Sequence, residues 1–144
     1  MSLEFKLHPD KKLFKKTKAV YGPIAFELIE EMKKIMIERR GCGLAANQVG
    51  LDESFFIAKF SDGFEVCINP VIVQHGKEEV DMMEGCLSIL GKDNLPIFKP
   101  KRRWAIVDLE YENQEGKNVR RTFKRHDARI VQHEMNHLEG ILCQ

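Results

Sequence analysis

The chain has 144 residues, 43% of them hydrophobic and 31% charged, with a net charge of +1 at pH 7. This length suits a single domain, residues 1–144, whose core needs no disulfides, and the ordinary composition excludes a disordered protein. No run of about 20 apolar residues or apolar leader occurs, so we expect a cytoplasmic protein without a membrane segment.

Basic residues form two clusters that we predict to be solvated faces. They contain Lys11, Lys12, Lys15, Lys16 and Lys18 in the first cluster, and Lys99, Lys101, Arg102 and Arg103 in the second. Regularly interleaved aromatic residues, which stack on bases in many nucleic-acid sites, do not accompany either cluster. We therefore expect no specific nucleic-acid partner.

The first predicted element is an amphipathic helix within residues 22–41, "GPIAFELIEEMKKIMIERRG". Pro23 suits the first helical position and Gly41 suits a stop immediately after the helix. The apolar residues between them fall on one stripe at helical spacing, namely Ile24, Leu28, Met32, Ile35 and Met36. We expect this stripe to face the core.

Strands follow in the middle of the chain. Short apolar or alternating runs bounded by turn residues predict them at "SFFIAKF", "FEVCINP", "VIVQHG" and "WAIVDLEYEN", and "ENQEGKN" predicts a hairpin. After Arg125 helical spacing returns, with Gly140 as its stop and with core contacts predicted at Ala128, Val131, Met135 and Leu138. An N-terminal helix, mostly antiparallel sheets and a C-terminal helix make an α+β domain.

The C-terminal helix carries an H-E-x-x-H pattern in "RIVQHEMNHLEGILCQ". His133 and His137, four residues apart, share one helix face and can present two ring nitrogens to one ion. Glu134 can then act as a general base on water without being a ligand. This pattern favours a metal site over two histidines on a solvated helix face.

A catalytic site of this kind needs a third protein ligand and one open position. Cys143 stands six residues beyond His137, where some proteases have a ligand, but Gly140 intervenes and the printed chain ends at Gln144. We therefore expect an upstream ligand, and the candidates besides several carboxylates are Cys42, Cys67, Cys86, His8, His75 and His126. The apolar run "EVCINP" favours a core position for Cys67, whereas "MEGCLSI" makes Cys86 the preferred ligand.

Three separated stretches resemble the signatures of the peptide deformylase family. "GCGLAANQVG" at residues 41–50 resembles the family's G-x-G-L-A-A-x-Q, "EGCLS" at 84–88 matches its second signature, and "QHEMNHLEGIL" at 132–142 resembles Q-H-E-x-D-H-L-x-G. The three motifs occur in the family's order. The similarity extends more weakly through nearly the whole chain, including "LHPDKKL" and "CINPVIV".

The resemblance implies an enzyme that removes the formyl group from N-formylmethionyl peptides of nascent proteins. It implies one divalent metal ion held by Cys86, His133 and His137, most often Fe(II), with zinc, nickel or cobalt as replacements. Glu134 would be the acid and base. The side chain of Gln48 and the backbone N–H of Leu87 would donate hydrogen bonds to the reacting oxygen.

The resemblance also suggests where substrate binds. The predicted substrate contacts are Cys42, Gly43, Glu84, Gly85, His126 and Arg129. Gly43 lacks the side chain that would block an extended peptide, and Cys42 would border the groove. We expect the pocket for the methionine side chain to include Ala128, His126 and Arg129.

The chain departs from the family pattern at several positions. Asn136 replaces the aspartate between the two histidines, which predicts tuned rather than abolished activity, and Leu90 replaces a proline after the second motif. Many relatives have a further C-terminal segment linked in bacterial forms to ribosome docking, so no ribosome partner is carried over. We expect a monomer in a bacterial cytoplasm, or in a host cytoplasm or organelle if the gene is viral or organellar.

Two other functions remain open at this level. The first is an unrelated endopeptidase that uses His133, His137 and Cys143 as ligands. The second is a non-catalytic protein that binds formyl peptides or metal, which the change to Asn136 and the altered segment around Leu90 would favour.

Overall fold

The computed structural model describes residues 3–142 and confirms the α+β class. It contains two helices, α1 (Phe26–Glu38) and α2 (Arg125–Leu138), and short 3-10 helices at Lys11–Phe14 and Ala46–Val49. The strands are β1 (Gly43–Ala45), β2 (Phe55–Phe60), β3 (Gly63–His75), β4 (Glu79–Leu90), β5 (Pro96–Trp104), β6 (Ile106–Glu112) and β7 (Asn118–Lys124). Cys143, which was considered above as a ligand, lies outside the described residues.

The strands form two antiparallel sheets. A five-stranded sheet has the order β1-β2-β3-β6-β7, and β4 and β5 form a separate two-stranded sheet. The predicted hairpin is confirmed, because β6 and β7 pair in continuous register from Ile106–Lys124 to Glu112–Asn118. Two predicted strands merge into β3, whose pairing with β6 is irregular near Asn69, a residue with a φ of 49°.

Helix α1 covers one face of the five-stranded sheet. Leu28, Met32 and Met36 are buried as predicted, in a cluster that includes Leu44 and Ile57. Ile24 and Ile35 pack against this cluster from partly buried positions.

The predicted ends of α1 are wrong. The helix begins at Phe26, three residues after Pro23. The helix ends at Glu38, and the left-handed residue that follows it is Arg40, with a φ of 57°, rather than Gly41, the predicted stop. The N–H of Gly41 then donates to the carbonyl of Met36 at 2.9 Å, which satisfies one of the last free carbonyls of the helix.

Helix α2 packs against the opposite face of the same sheet. Ala128, Val131 and Leu138 are buried there together with Cys67, and Met135 is partly buried beside them, as the sequence predicts. Gly140, with a φ of 77°, ends the helix. The stop is completed by a bond from the N–H of Ile141 to the carbonyl of Asn136.

The sheet of β4 and β5 was not predicted, because "EEVDMMEG" and "FKPKRR" lack the apolar runs used to recognise strands.

The prediction of a solvated basic face is wrong at Arg103, which is 6% exposed. Its pairing partner is Val80 on β4, and Arg102 beside it is exposed. Within residues 3–142, neither helix is long and apolar enough to cross a membrane.

Candidate metal and catalytic site

Helix α2 and strand β4 bring three potential metal ligands together. Among the described residues, Cys86 on β4 and His133 and His137 on α2 place one donor atom each within 4.8 Å of one another. Sγ of Cys86 lies 3.2 Å from Nε2 of His137. A thiol and two imidazoles make a donor set that suits zinc or iron, and three ligands leave a coordination position open.

Glu84 orients the first histidine. Its carboxylate lies 2.6 Å from Nδ1 of His133, which leaves Nε2 of that ring for the ligand position. Burial alone lowers the pKa of His133, but hydrogen bonds with Cys86 and Glu84 outweigh burial and raise the pKa to about 10. Because a ligating imidazole nitrogen must be free of its proton, we expect metal binding to release protons from this site.

The second histidine is held as a neutral ring. Burial, followed by the positive charges of His133 and Arg103, lowers the pKa of His137 to about 3. Its Nδ1 is buried and has no hydrogen-bond partner among the described residues. The side-chain amide of Asn47 donates to the backbone carbonyl of His137, which ties the 3-10 helix Ala46–Val49 to α2.

Glu134 is buried beside the ligand group. Burial raises the pKa of its carboxyl to about 7, although the charges of His133 and Arg103 act in the opposite direction. Its Oε1 atom has no hydrogen-bond partner among residues 3–142, so it is available to a ligand or water molecule. A buried carboxyl that titrates near neutral pH is suited to accept a proton and to release it again.

Gly43 accommodates this carboxylate. A Cβ atom built at Gly43 would lie 2.6 Å from Oε2 of Glu134, closer than real Cβ contacts allow. From the sequence, we predicted that this glycine lets a peptide approach closely, and the structure adds a requirement from within the protein. A similar Cβ at Gly41 would lie 2.5 Å from Cδ1 of Leu87.

Gln48 lies in the 3-10 helix Ala46–Val49, and Leu87 lies on β4. Gln48 is 2% exposed; its Oε1 accepts from the N–H of Ala45 at 2.9 Å, and its Nε2 donates to Oγ of Ser88 at 3.1 Å. A primary amide has two N–H donors, so one remains for a ligand. Leu87 lies between the Gly85–Phe98 and Leu90–Pro96 pairs, where the β4–β5 register shifts.

A cavity of about 620 Å³ opens beside these residues. Its walls include all six predicted substrate contacts, namely Cys42, Gly43, Glu84, Gly85, His126 and Arg129. Gln48, Leu87, His133 and Glu134 also line it. Exposed apolar side chains of Met83, Leu95 and Phe98 extend the wall at its mouth. The cavity is therefore large enough and apolar enough to receive a peptide side chain.

Two residues of the predicted methionine pocket behave differently from expectation. Ala128 is fully buried in the core cluster below α2 and does not line the cavity, which corrects that prediction. Arg129 lines the cavity, but its guanidinium donates to acceptors in the protein, including the carbonyls of Val80 and Lys101. Helical geometry turns Ala128 to the side of α2 that faces the large sheet.

Arg103 is a site residue that was not predicted from the sequence. It forms a buried ion pair with Glu84 at 2.6 Å and donates to Oδ1 of Asn136. Asn136 thus supports Glu84 through Arg103, and Glu84 in turn holds His133. Period-two alternation does place Lys101 and Arg103 on one strand face, but nothing in the sequence shows that α2 covers this face at Arg103.

Comparison with known proteins shows the family. The family model described as polypeptide deformylase matches residues 3–144. The chain belongs to the polypeptide deformylase family. The peptide deformylase of Fusobacterium nucleatum subsp. nucleatum is 38% identical over 117 residues, which cover 81% of this chain and 64% of that protein. The chain therefore spans less than two thirds of that relative's length.

Solved deformylase structures share the fold. The crystal structure of peptide deformylase from Thermotoga maritima is 32% identical, with a TM-score of 0.90, and the match covers 99% of this chain and 95% of that one. The actinonin-bound class I type b peptide deformylase from Acinetobacter baumannii is 31% identical, with a TM-score of 0.88 and the same two coverages. These matches support the family assignment over nearly the full length of the described fold.

Proposed function

We propose that this chain is a metal-dependent deformylase that removes the formyl group from N-formylmethionyl peptides of nascent proteins and releases formate. The observation that carries the proposal is the convergence of Cys86, His133 and His137 within 4.8 Å beside the buried carboxyl of Glu134. Membership of the polypeptide deformylase family supports the same activity.

Cys86, His133 and His137 would hold one divalent ion, with Fe(II) as the proposed native metal and zinc, nickel or cobalt as substitutes. Such an ion supplies Lewis-acid chemistry, which polarises a carbonyl oxygen and makes water more acidic. The soft thiolate and the two imidazoles fit these metals better than magnesium or calcium, which prefer oxygen ligands.

Glu134 moves the proton in the proposed reaction. Its carboxylate accepts a proton from the water that attacks the formyl carbon, and its carboxylic acid then donates this proton to the departing amine. A pKa of about 7 lets both forms exist near neutral pH. Breaking the carbon–nitrogen bond leaves formate and a free amino terminus.

Gln48 and Leu87 stabilise the oxygen that gains negative charge. The second N–H of the Gln48 amide and the backbone N–H of Leu87 donate to this oxygen in the proposed complex. Removing one such donor costs on the order of 100 to 1000-fold in turnover. Ser88, the partner of Gln48 at 3.1 Å, fixes the orientation of the amide before substrate arrives.

The remaining substrate contacts are proposed along the cavity wall. Cys42, Gly43 and Gly85 border an extended peptide, and His126 lies near the side-chain pocket. The structure of the relative from Acinetobacter baumannii has actinonin bound, which supports a ligand-binding role for the corresponding cavity. We propose that the protein acts as a monomer in the cytoplasm on nascent chains.

Formate release tests the activity and the role of Glu134. Anaerobically prepared Fe(II) protein should release formate from a formyl-Met peptide, and Glu134→Gln should lower turnover by about 100 to 10,000-fold because the proton carrier is removed. Metal content should be unchanged in the variant. Glu139→Gln, at an exposed position just after α2, is the control. Turnover by Glu134→Gln at the wild-type rate would contradict the mechanism.

Metal content separates the deformylase from the endopeptidase alternative. Cys86→Ser should lose most of its metal because a thiolate is replaced by a poorly ligating hydroxyl, whereas Cys143→Ser should retain it. Metal analysis of the two purified variants measures this directly. The reverse pattern would support the use of Cys143.

Tight binding of formyl peptide without formate release under any metal would instead favour the non-catalytic alternative.

A further inference from the structure

The sheet of β4 and β5 has little apolar core of its own. Along β4, Val80, Met82 and Met83 are exposed, and along β5, Ile97 and Phe98 are exposed. Burial alone therefore does little to fix the position of this sheet relative to α2. Because β4 carries Cys86 and Leu87, something other than apolar packing must set their distance from the histidines on α2.

Arg129 joins α2 to both strands, in addition to the contacts of Glu84 with His133 and of Arg103 with Asn136. Its Nη1 donates to the carbonyl of Val80 at 2.9 Å, and its Nη2 donates to the carbonyl of Lys101 at 2.6 Å. Weaker contacts from Nη2 reach the carbonyl of Met82 at 3.4 Å and the carboxylate of Glu84 at 3.3 Å. One guanidinium on α2 thus contacts main-chain acceptors on β4 and on β5.

The chemistry of these contacts requires arginine. A guanidinium is a rigid planar fork with five N–H donors, so it can bind carbonyls on two strands at once. A lysine ammonium in this position offers a single point of charge and cannot span them. Arg129 is 7% exposed, so its hydrogen bonds to these carbonyls are largely shielded from bulk water in the wild type.

Arg129 also precedes His133 by four residues, so the two side chains lie on the same face of α2. The strand that Arg129 holds at Val80 and Met82 continues through Glu84 to Cys86. Any movement of β4 away from α2 would therefore separate Cys86 from His133 and His137. The contacts of Arg129 oppose this movement without touching the ligands themselves.

We propose that Arg129 is a positioning residue that holds the β4–β5 sheet on α2 and so assembles the Cys86 ligand position before metal binds. The importance of that position for activity rests on the proposed deformylase function. The position of Cys86 relative to α2 is a property of the metal-free protein, so it can be tested without measuring turnover.

The test measures the alkylation rate of Cys86 by iodoacetamide in the metal-free protein, site by site, by mass spectrometry. Cys86 is 1% exposed and should react slowly in the wild type. Arg129→Ala should raise this rate by about 10 to 100-fold, because hydrogen bonds from a charged group no longer oppose local opening. Arg129→Lys should give an intermediate rate, since one of the two strand contacts can be kept.

Two controls distinguish positioning from general stability. Arg102→Ala removes an arginine of the same sheet whose exposed guanidinium pairs with Asp81 and has no hydrogen bond to α2 within residues 3–142. It should leave the Cys86 rate unchanged. Cys67, buried in the main core, should stay unreactive in every variant.

Equal Cys86 rates in Arg129→Ala and the wild type would overturn the proposal. Parallel exposure of Cys67 and Cys86 in both Arg129 variants would also overturn it, because Arg129 would then support the whole fold. If the Arg129 variants raise the Cys86 rate as expected but the wild type releases no formate, the proposed function fails and the positioning role of Arg129 stands.

Discussion

At the residue scale, the space left by Gly43 determines whether Glu134 can occupy its buried position. Gly43→Ala should lower turnover by about 10 to 100-fold. The added Cβ would lie 2.6 Å from Oε2 of Glu134, so it would displace that carboxylate. Stability should change little, since the displaced atoms belong to the end of a flexible side chain. Steady-state formate release and denaturant unfolding measure the two effects.

The matched control for this prediction is Gly76→Ala. Gly76 lies on the loop between β3 and β4, and a Cβ added there would have its nearest neighbour at 3.7 Å, an ordinary contact. Wild-type turnover in both variants would show that Glu134 tolerates the added methyl group, and the assigned need for glycine would be withdrawn.

At the element scale, the end of α2 packs directly on the first 3-10 helix. Gly140 combines a φ of 77° with a site where a Cβ would lie 2.5 Å from the backbone oxygen of Phe14. Backbone cannot move aside as a side chain can, so Gly140→Ala should destabilise the protein by about 3 kcal/mol or more. The free energy of unfolding in denaturant measures this loss.

Gly116→Ala separates the clash from the dihedral strain. Gly116 has a similar φ of 82° in the β6–β7 turn, but no atom lies within 4 Å of its Cβ position. This variant should lose about 1 kcal/mol. If the two variants lose the same stability, the contact between Gly140 and Phe14 does not restrain the end of α2.

At the scale of the whole molecule, Glu84 joins the β4–β5 sheet to α2, and its charge makes the stability of the fold depend on pH. Burial raises the pKa of Glu84, but hydrogen bonds from His133 and Arg103 outweigh burial and lower it from 4.5 to about 2. The ionised group therefore stabilises the metal-free fold fully above pH 4.5, and this contribution disappears as pH falls through 2. A shift of this size corresponds to on the order of 3 kcal/mol.

Glu84→Gln tests this coupling in the metal-free protein. The wild type should exceed the variant in unfolding free energy by on the order of 3 kcal/mol at pH 7, and the difference should shrink between pH 4.5 and 2. Denaturant unfolding across this pH range measures the difference. Glu30→Gln, on the exposed side of α1, is the control. A difference that does not vary with pH would rule out the assigned role of the Glu84 charge.

Much of the fold was predictable where local pattern and final environment agree. The stripe of α1, the β6–β7 hairpin and the core face of α2 follow from spacing alone, because each buries one regular face. The β4–β5 sheet was not predictable in this way, since its strands are polar and largely exposed. The C-terminal end of α1 was missed because Arg40 adopts a left-handed conformation that glycine usually takes.

The sequence by itself determined the chemistry of the site. The H-E-x-x-H spacing puts His133 and His137 on one helix face, and the resemblance in "EGCLS" singled out Cys86 from the other candidates. Residue type and helical period are local properties, so they can be read without knowing what packs against them.

Only the tertiary structure decided how that chemistry is held. Residues far apart in sequence meet through sheet and helix packing: Glu84 with Arg103 and His133, and Arg129 with the carbonyls of two strands. Whether a charged side chain is solvated or buried depends on which element covers it, and that is a long-range property of the fold. Arg103, predicted to lie in solvent, is buried because α2 packs over it.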